Sequence, residues 1–369
     1  MTTEISLPVS IGEGLDKLTI LDIKREKIQD ERKADCEKEY TLLLEKLGSY
    51  VQKLSWHYEV LKEINLTIWN LQDNFHGKDV SDVEAGQICS KILKENDRRF
   101  RVKAKMNHIL SSNLREQKGY GKKKGFFYGH LGLGDMFWLC GAVRYLSTCY
   151  DEIVVVVKER NSQNVQMMYA DDPTIKFFVI QDDFILHPFQ EHTKNLIEKE
   201  GFEVFTCGYH TENPKIYEFP YCFYDDLKLA RNTMKQYFYV PTYSQAIELY
   251  KEVVTINSSY TLIHQQSSTK RIPIWEKLFQ EQPSSLLLDI NENHYAEGHP
   301  YYEISQKIVG KPLLWYKILL EEAKEIHLLE SSFYCFATHL DLKKVETKIC
   351  YEAFDKSNER LGVFKTGTL

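Results

Sequence analysis

The sequence predicts an α/β protein with an all-α region in front of it. Apolar residues recur at helical spacing up to residue 115, and from Gly125 onward strand-like and helix-like segments alternate. That alternation restarts near residue 251, which indicates a second α/β unit. We therefore predict a helical domain at 1–115, a linker at 116–124, and α/β domains at 125–250 and 251–369.

Composition and charge argue against several classes of protein, namely nucleic-acid-binding, secreted and transmembrane proteins. The chain has 369 residues, enough for two or three domains, and its net charge of −6 argues against a broad nucleic-acid-binding surface. The amino terminus lacks the basic and apolar stretches of a secretory signal, and no apolar run is long enough for a transmembrane segment. The 8 cysteines form no C-x-x-C motif, which favours free thiols in a reducing compartment. We expect a cytoplasmic protein.

The amino-terminal region reads as a helical hairpin or bundle. A capping box, Ser10 with Glu13, opens the first apolar-periodic segment. The apolar-periodic segments are at 10–28, 40–47, 54–75 and about 83–114. We interpret the charges between the apolar positions as a solvated face, and the region as a candidate seam for a homodimer. The Gly- and Lys-rich stretch Arg115–Gly125 reads as a solvated hinge.

The rest of the chain alternates between strands and helices. Predicted strands of the first unit are Phe126–Tyr128, EIVVVVK, IKFFVI and FEVFTCG, and those of the second are YTLIH, SLLLDI, EIHLLE and VETKICY. Helices separate them, so we expect two parallel, Rossmann-like sheets with right-handed crossovers. An aromatic, helical stretch at 217–253 connects the two units.

The turn HLGLGDMFW follows the first predicted strand. Gly132 and Gly134 begin like a dinucleotide fingerprint, but Phe137 occupies the third glycine position, and no G-K-[ST] of a P-loop is present. The turn instead brings backbone close to a neutral ligand and presents Asp135 at the carboxyl end of a strand. Asp135 is either a helix cap or a general base. His130 is the substitute base, or a loop histidine bonded to backbone.

Three loops of the second unit carry polar side chains after predicted strands. QQSSTKR offers hydroxyls and charge suited to a diphosphate, through Ser268, Lys270 and Arg271, or is a polar surface loop. Ser331 and Ser332 open a helix, as an anion seat or as ordinary caps. The last loop, LLLDINENHY, supplies side chains that could reach a base or ribose, or form a surface turn: Asp289, Asn291 and Asn293.

The segment from His130 to Ile180, HLGLGDMFWLCGAVRYLSTCYDEIVVVVKERNSQNVQMMYADDPTIKFFVI, resembles the first half of GT-B glycosyltransferases related to heptosyltransferases and some fucosyltransferases. EIHLLESSFYCFATHL resembles the strand, turn and helix that hold the donor phosphates in those enzymes, with Glu330-Ser331-Ser332 in place of their glycine-rich turn. The resemblance implies a GT-B fold over residues 125–350. It also implies acceptor contacts from five positions: Gly132, Gly134, Lys158, Arg160 and Asn161.

The helical region resembles an uncharacterised family of bacteria and viruses that often accompanies sugar-transferase genes, through VSIGEGLDKLTILDIKREKI and KENDRRFRVKAKMN. Together these resemblances imply a glycosyltransferase that moves a sugar from a nucleotide-diphosphate sugar to a glycan hydroxyl. The chain has no D-x-D motif, so we expect no metal and no cofactor besides the donor. The alternatives are a nucleotide-sugar epimerase of the same fold and a non-catalytic sugar-binding or scaffold protein.

Overall fold

The structure is a computed structural model that describes residues 7–75, 80–119, 121–181, 191–208, 218–351 and 362–367. Its amino-terminal helices are α1 Ile11–Lys27, α2 Arg32–Lys53, α3 Ser55–Phe75 and α4 Asp82–Ile109. The Ser10 side chain accepts a hydrogen bond from the Glu13 N–H at 3.2 Å and so caps α1. The Glu13 carboxylate pairs with Lys103, and α4 ends at Ile109 rather than at Leu114.

The solvated face predicted for this region is wrong for the second half of α4. Four of its cations are less than a tenth exposed: Arg98, Arg101, Lys103 and Lys105. Lys105 bonds to Ser147 at 2.8 Å and to Asp172 at 2.7 Å, and both partners are fully buried or nearly so. Charges spaced along a helix look solvated when no partner is adjacent in sequence, and these partners lie far along the chain.

The first sheet follows the predicted alternation. Its strands are β1 Lys124–Tyr128, β2 Glu152–Lys158, β3 Ile175–Ile180 and β4 Phe202–Thr206, in the order β3-β2-β1-β4. The helices after β1, β2 and β3 are α5 Leu133–Cys149, α6 Glu159–Met168 and α7 Glu191–Lys199. Ile153 and Val155–Val157 of β2 are 0% exposed, as expected of a β-branched strand covered on both faces.

Short helices then lead to the second sheet. They are α8 Cys222–Asp226, α9 Thr233–Gln236 and α10 Ser244–Ile256. The strands of the second sheet are β5 Tyr260–His264, β6 Leu286–Asp289, β7 Glu325–Leu329, β8 Thr347–Tyr351 and β9 Lys365–Gly367, in the order β6-β5-β7-β8-β9. All neighbouring pairs in this sheet are parallel. β9 is an addition to the predicted strands.

Helices separate the strands of the second sheet. They are α11 Ile274–Glu281, α12 Tyr302–Ile308, α13 Lys317–Glu322 and α14 Ser332–Ala337. A 3₁₀ turn, Leu313–Tyr316, directly precedes α13. The protein is therefore an α/β fold with two parallel sheets after a helical region, as the sequence predicts.

The chain clusters into two compact units. One comprises Met1–Gly125, Tyr145–Val154 and Asp171–Lys176, and the other comprises the segments between and after these. The predicted domain boundaries and the homodimer stay predictions. In the described part of the chain, no helix combines the length and the apolar character needed to cross a bilayer.

Candidate functional site

A cleft of about 510 Å³ lies where strands of both sheets end. Its walls come from the residues that follow β1, β2, β5 and β7, all at the carboxyl ends of those strands. In the second sheet, β5 and β7 are neighbours although β6 lies between them in sequence, so the strand order reverses between them. Ligands of open α/β sheets bind at such reversal points, and the volume is in the range of small-molecule sites.

The glycine turn, residues 129–134, forms one wall of the cleft. α5 begins at Leu133, and the Gly132 carbonyl accepts the Met136 N–H at 3.0 Å. A Cβ at Gly132 would lie 2.7 Å from Oδ2 of Asp135, and one at Gly134 would lie 3.0 Å from Sγ of Cys335. The two glycines are therefore positions of close approach, and both line the cleft.

The two candidate bases lie together beside this turn. Asp135 is the third residue of α5, so it is not the residue that precedes the helix, and its side chain is 25% exposed. Nδ1 of His130 lies 3.6 Å from Oδ2 of Asp135. The Nε2–H of His130 donates to the Gly208 carbonyl at 2.8 Å, so in the neutral ring the unprotonated nitrogen faces the carboxylate. Neither side chain is among the residues lining the cleft.

Some residues after β2 line the cleft, and others support its wall. Arg160 is exposed and lines the cleft, as does Asn161. The side-chain amide of Asn161 donates to the Leu131 carbonyl at 2.9 Å and so ties α6 to the glycine turn. Lys158 is only 8% exposed and is not among the lining residues.

The hydroxyl loop, residues 265–271, closes on itself. Gln266 and Arg271 form an antiparallel bridge, and Oγ of Ser267 accepts the Lys270 N–H at 3.1 Å. Ser268 and Thr269 reach the cleft, whereas Lys270 and Arg271 do not line it. Arg271 pairs with Glu292 at 2.7 Å on the exposed side of the loop.

The turn after β7 places both predicted serines in the cleft. Oγ of Ser331 accepts the N–H groups of Phe333 and Tyr334 at 3.1 and 3.4 Å, so it caps α14. Ser332 also lines the cleft and follows the cap as the first helical residue. Ser331 is thus partly used by its own helix, while the hydroxyl of Ser332 is not part of that cap.

His264 is a cleft residue that the sequence reasoning missed. It ends β5, is 8% exposed, stacks on Phe333 and has Nδ1 3.3 Å from Oγ of Ser331. Burial lowers the pKa of His264 to about 4, so the ring is neutral at pH 7. Its position as the last residue of a buried strand was the available signal, since the carboxyl end of a strand faces the ligand edge.

The predicted base and ribose contacts lie elsewhere. Asp289 is fully buried and accepts hydrogen bonds from Gln265 and His294, both at 2.8 Å. Burial raises the pKa of Asp289, against opposing hydrogen bonds from these partners and the Asn291 N–H. Oδ1 of Asn291 accepts the N–H groups of Gln265 and Gln266, both at 3.0 Å. Both side chains order the hydroxyl loop, and neither lines the cleft.

The cleft is nearly balanced in charge. Among the described residues that line it, Arg160 is the one fixed cation and Glu330 the one carboxylate. Across the described ranges, including the cleft, no three His, Cys, Asp or Glu side chains converge in an arrangement that could hold a metal ion. The polar surface offered to a ligand consists mainly of hydroxyls and main-chain groups.

Several solved structures are similar to this chain. Bacterial iron-containing dodecameric glycosyltransferase TibC from enterotoxigenic E. coli H10407 is 14% identical, with 66% of this chain and 62% of that chain covered and a TM-score of 0.35. The dodecameric iron-containing heptosyltransferase TibC in complex with ADP-D-β-D-heptose is 14% identical, with 62% and 59% covered and a TM-score of 0.34. A glycosyl transferase family 9 structure from Veillonella parvula DSM 2008 is 10% identical, with 64% and 83% covered and a TM-score of 0.39.

This chain spans about three fifths of the length of the two TibC chains. No protein-family model matches it, and no curated protein matches its sequence.

Proposed function

We propose that this protein is a glycosyltransferase that moves a sugar from a nucleotide-diphosphate sugar to a hydroxyl of a glycan acceptor. The observation that carries the proposal is the cleft: one wall brings Gly132, Gly134 and Arg160 from the first sheet, and the other brings Ser268 and Ser332 from the second. A group transfer requires both substrates to be held together in the right orientation, and the two walls offer polar groups to both. The resemblance of the sequence to GT-B enzymes agrees with this arrangement.

On the acceptor side, Asp135 is the proposed general base. Its carboxylate lies beside Gly132, where a Cβ would come within 2.7 Å of Oδ2, and the proposal places the acceptor hydroxyl on this side of the glycine turn. As the new glycosidic bond forms, the hydroxyl proton passes to Asp135. The bond from its Nε2 to the Gly208 carbonyl and the contact of its ring with Phe223 fix His130 beside Asp135, with Nδ1 3.6 Å from Oδ2 of the carboxylate. His130 is a positioning residue in this scheme.

On the donor side, the departing diphosphate needs positive potential as the sugar leaves. Arg160 lines the cleft and can approach from the first wall, and α6 begins beside it at Glu159, so the amino-terminal end of that helix adds positive potential. Lys270 and Arg271, predicted for the same task, are outside the cleft lining. We therefore assign the main charge to Arg160 and hydrogen bonds to Ser268 and Ser332. Transfer without a metal ion is part of this proposal.

The donor site is tested by thermal unfolding with UDP, GDP, ADP, CMP and their sugars, each with and without EDTA. A diphosphate at about 100 times its Kd raises the free energy of unfolding by roughly 2.7 kcal/mol. We expect one base to stabilise the protein with and without EDTA, and Arg160→Gln to weaken that effect. Arg271→Gln is the matched control, because this exposed arginine is paired with Glu292 outside the cleft.

If no nucleotide stabilises the wild type, the donor site is wrong. If Arg160→Gln and Arg271→Gln lose the nucleotide stabilisation equally, the hydroxyl loop also contacts the diphosphate. Product analysis with the identified donor then separates the reactions. Consumption of the donor only when a glycan acceptor is present supports transfer, whereas isomerisation of the donor alone would identify an epimerase.

A further inference from the structure

A second cavity, of about 350 Å³, lies in the first compact unit. Its walls come from the second half of α4, the linker residues 115–117 and 122, and the turns at the amino ends of β2 and β3. None of these residues lines the cleft. The linker that the sequence indicated as a solvated hinge thus forms part of a cavity wall.

The side chains around this cavity carry more positive than negative charge. Its lining cations are Arg101, Lys105, Arg115, Lys122 and Lys176, and its lining carboxylates are Glu116, Asp151 and Glu152. Two of the three carboxylates already have cationic partners: Lys103 lies 2.9 Å from Glu116, and Arg101 lies 3.3 Å from Asp151. Lys105 is paired in turn with Asp172 outside the lining.

The remaining cations that line this basic cavity have no carboxylate partners in the described part of the chain. Among the described residues, Arg115, Lys122 and Lys176 form no ion pair, and Glu152 is the one lining carboxylate that is also unpaired. All three cations are exposed, so their side chains can turn toward a bound ligand. The excess of positive charge indicates an anionic ligand.

Arg101 gives the basic cavity a buried anchor. It is 7% exposed, and its Nη2 donates to Oδ2 of Asp151 at 3.5 Å. Its Nε–H makes no hydrogen bond to a described residue, although Oδ1 of Asp151 lies 3.3 Å away. Buried guanidinium N–H groups almost always have acceptors. An oxyanion in the cavity would supply one, and a guanidinium fork with nearby ammonium groups suits a phosphate.

We propose that the basic cavity binds a small phosphorylated molecule, with its phosphate group held by Arg101, Lys122 and Lys176. Phe100, Tyr150 and Pro173 supply the apolar part of the wall, which fits a phosphomonoester with a compact ring. A phosphomonoester and free phosphate would both be recognised through the phosphate group. The experiment must therefore compare the binding of the two.

Phenyl phosphate and inorganic phosphate are titrated separately into the full chain by isothermal calorimetry at low salt. We expect saturable binding of phenyl phosphate at millimolar concentration or tighter, and weaker binding of inorganic phosphate. The double variant Lys122→Gln/Lys176→Gln should weaken phenyl phosphate binding at least about tenfold, since two charge-assisted contacts are lost. The double variant Lys343→Gln/Lys344→Gln, at two lysines exposed elsewhere, is the charge-matched control and should bind like wild type.

Arg101→Met tests the buried anchor, and the double variant keeps the test valid if Arg101→Met fails to fold, because Lys122 and Lys176 are exposed. Arg160→Gln should retain phenyl phosphate binding, which separates this cavity from the cleft. The proposal is overturned by absence of saturable binding, by equal affinity in the double variant, or by loss of binding in Arg160→Gln alone. Tighter binding of inorganic phosphate would overturn the phosphomonoester assignment.

Discussion

At the scale of single residues, burial decides which candidate groups can take part in chemistry. His264 and Asp289 both end buried strands. Burial lowers the pKa of His264 and raises the pKa of Asp289, so that the neutral form of each side chain is favoured. Their surroundings differ: His264 borders the cleft, whereas Asp289 is enclosed by Gln265 and His294. Asp289 therefore stabilises a loop, and His264 offers a neutral ring to a ligand.

The pKa of His264 predicts a pH dependence of stability. The unfolded chain binds this proton below its ordinary pKa of 6.5, but the folded chain binds it only near pH 4. As pH falls between these values, the unfolded state takes up the proton first, so folding stability falls by up to about 1.4 kcal/mol per pH unit.

His264→Gln should reduce that loss. Urea unfolding of both proteins at several pH values between 7 and 5 measures it. Burial also lowers the pKa of His339 to about 4, and this residue is left intact in both proteins so that its contribution is the same. Parallel stability curves for wild type and variant would contradict the assignment.

Asp135 gives a second prediction at this scale. Asp135→Asn should lower the transfer rate about 10²- to 10⁴-fold, because the base is lost, and leave nucleotide binding unchanged. Glu159→Gln is the control, since this exposed carboxylate lies at the start of α6 and does not line the cleft. Full activity of Asp135→Asn, measured by product formation at saturating substrate, would exclude Asp135 as the base.

At the scale of elements, close approach between backbones positions α5 beneath the cleft. A Cβ at Gly141, in the middle of α5, would lie 2.6 Å from the carbonyl oxygens of Thr233 and Met234. Phe137, one turn earlier, is fully buried and stacks on Phe336 of α14 with ring centroids 4.9 Å apart. α5 is thus packed on both the connecting helices and α14, which holds the glycine turn in place.

Gly141→Ala should destabilise the protein by about 1–3 kcal/mol, because backbone atoms must move to admit the methyl group. The same change in an open helix stabilises, since alanine is the better helix former by about 1 kcal/mol. Gly86→Ala in α4 is the matched control, because a Cβ at Gly86 would meet no atom within 4 Å. Urea midpoints measure both, and a stabilising Gly141→Ala would contradict the close packing.

At the scale of the whole molecule, the helical region and parts of the first sheet belong to one compact unit. The buried pair of Lys105 and Asp172 joins α4 to the turn before β3, with Ser147 of α5 bonded to both at 2.8 and 3.0 Å. These segments are separated by long stretches of sequence. The helical region therefore contacts the sheet segments of its own unit.

Lys105→Met should cost about 3–5 kcal/mol of folding stability, because it leaves the fully buried Asp172 carboxylate without its cation. Lys344→Met is the control: its ion pair with Glu322 is exposed, and we expect no measurable change. Urea denaturation measures the free energy of unfolding of both variants. Equal stability of both variants would mean that the buried pair contributes nothing.

The sequence by itself determined the class of fold and the order of its elements. Apolar periodicity located α1 to α4, and β-branched runs such as EIVVVVK located buried strands, because both signals are local and depend on which face of an element is buried. It also placed Gly132, Gly134, Arg160, Asn161, Ser268, Ser331 and Ser332 at strand ends, and the tertiary structure brings these together in one cleft.

Only the tertiary structure decided which polar side chains face a ligand and which are used by the protein itself. Asp289 and Asn291 bond to the hydroxyl loop, Arg271 pairs with Glu292, and His264 enters the cleft. The physical reason is that a polar side chain satisfies its hydrogen bonds with whatever lies nearest in space, and those partners are distant in sequence. The same reason turned charges of α4 that look solvated in sequence into a buried network.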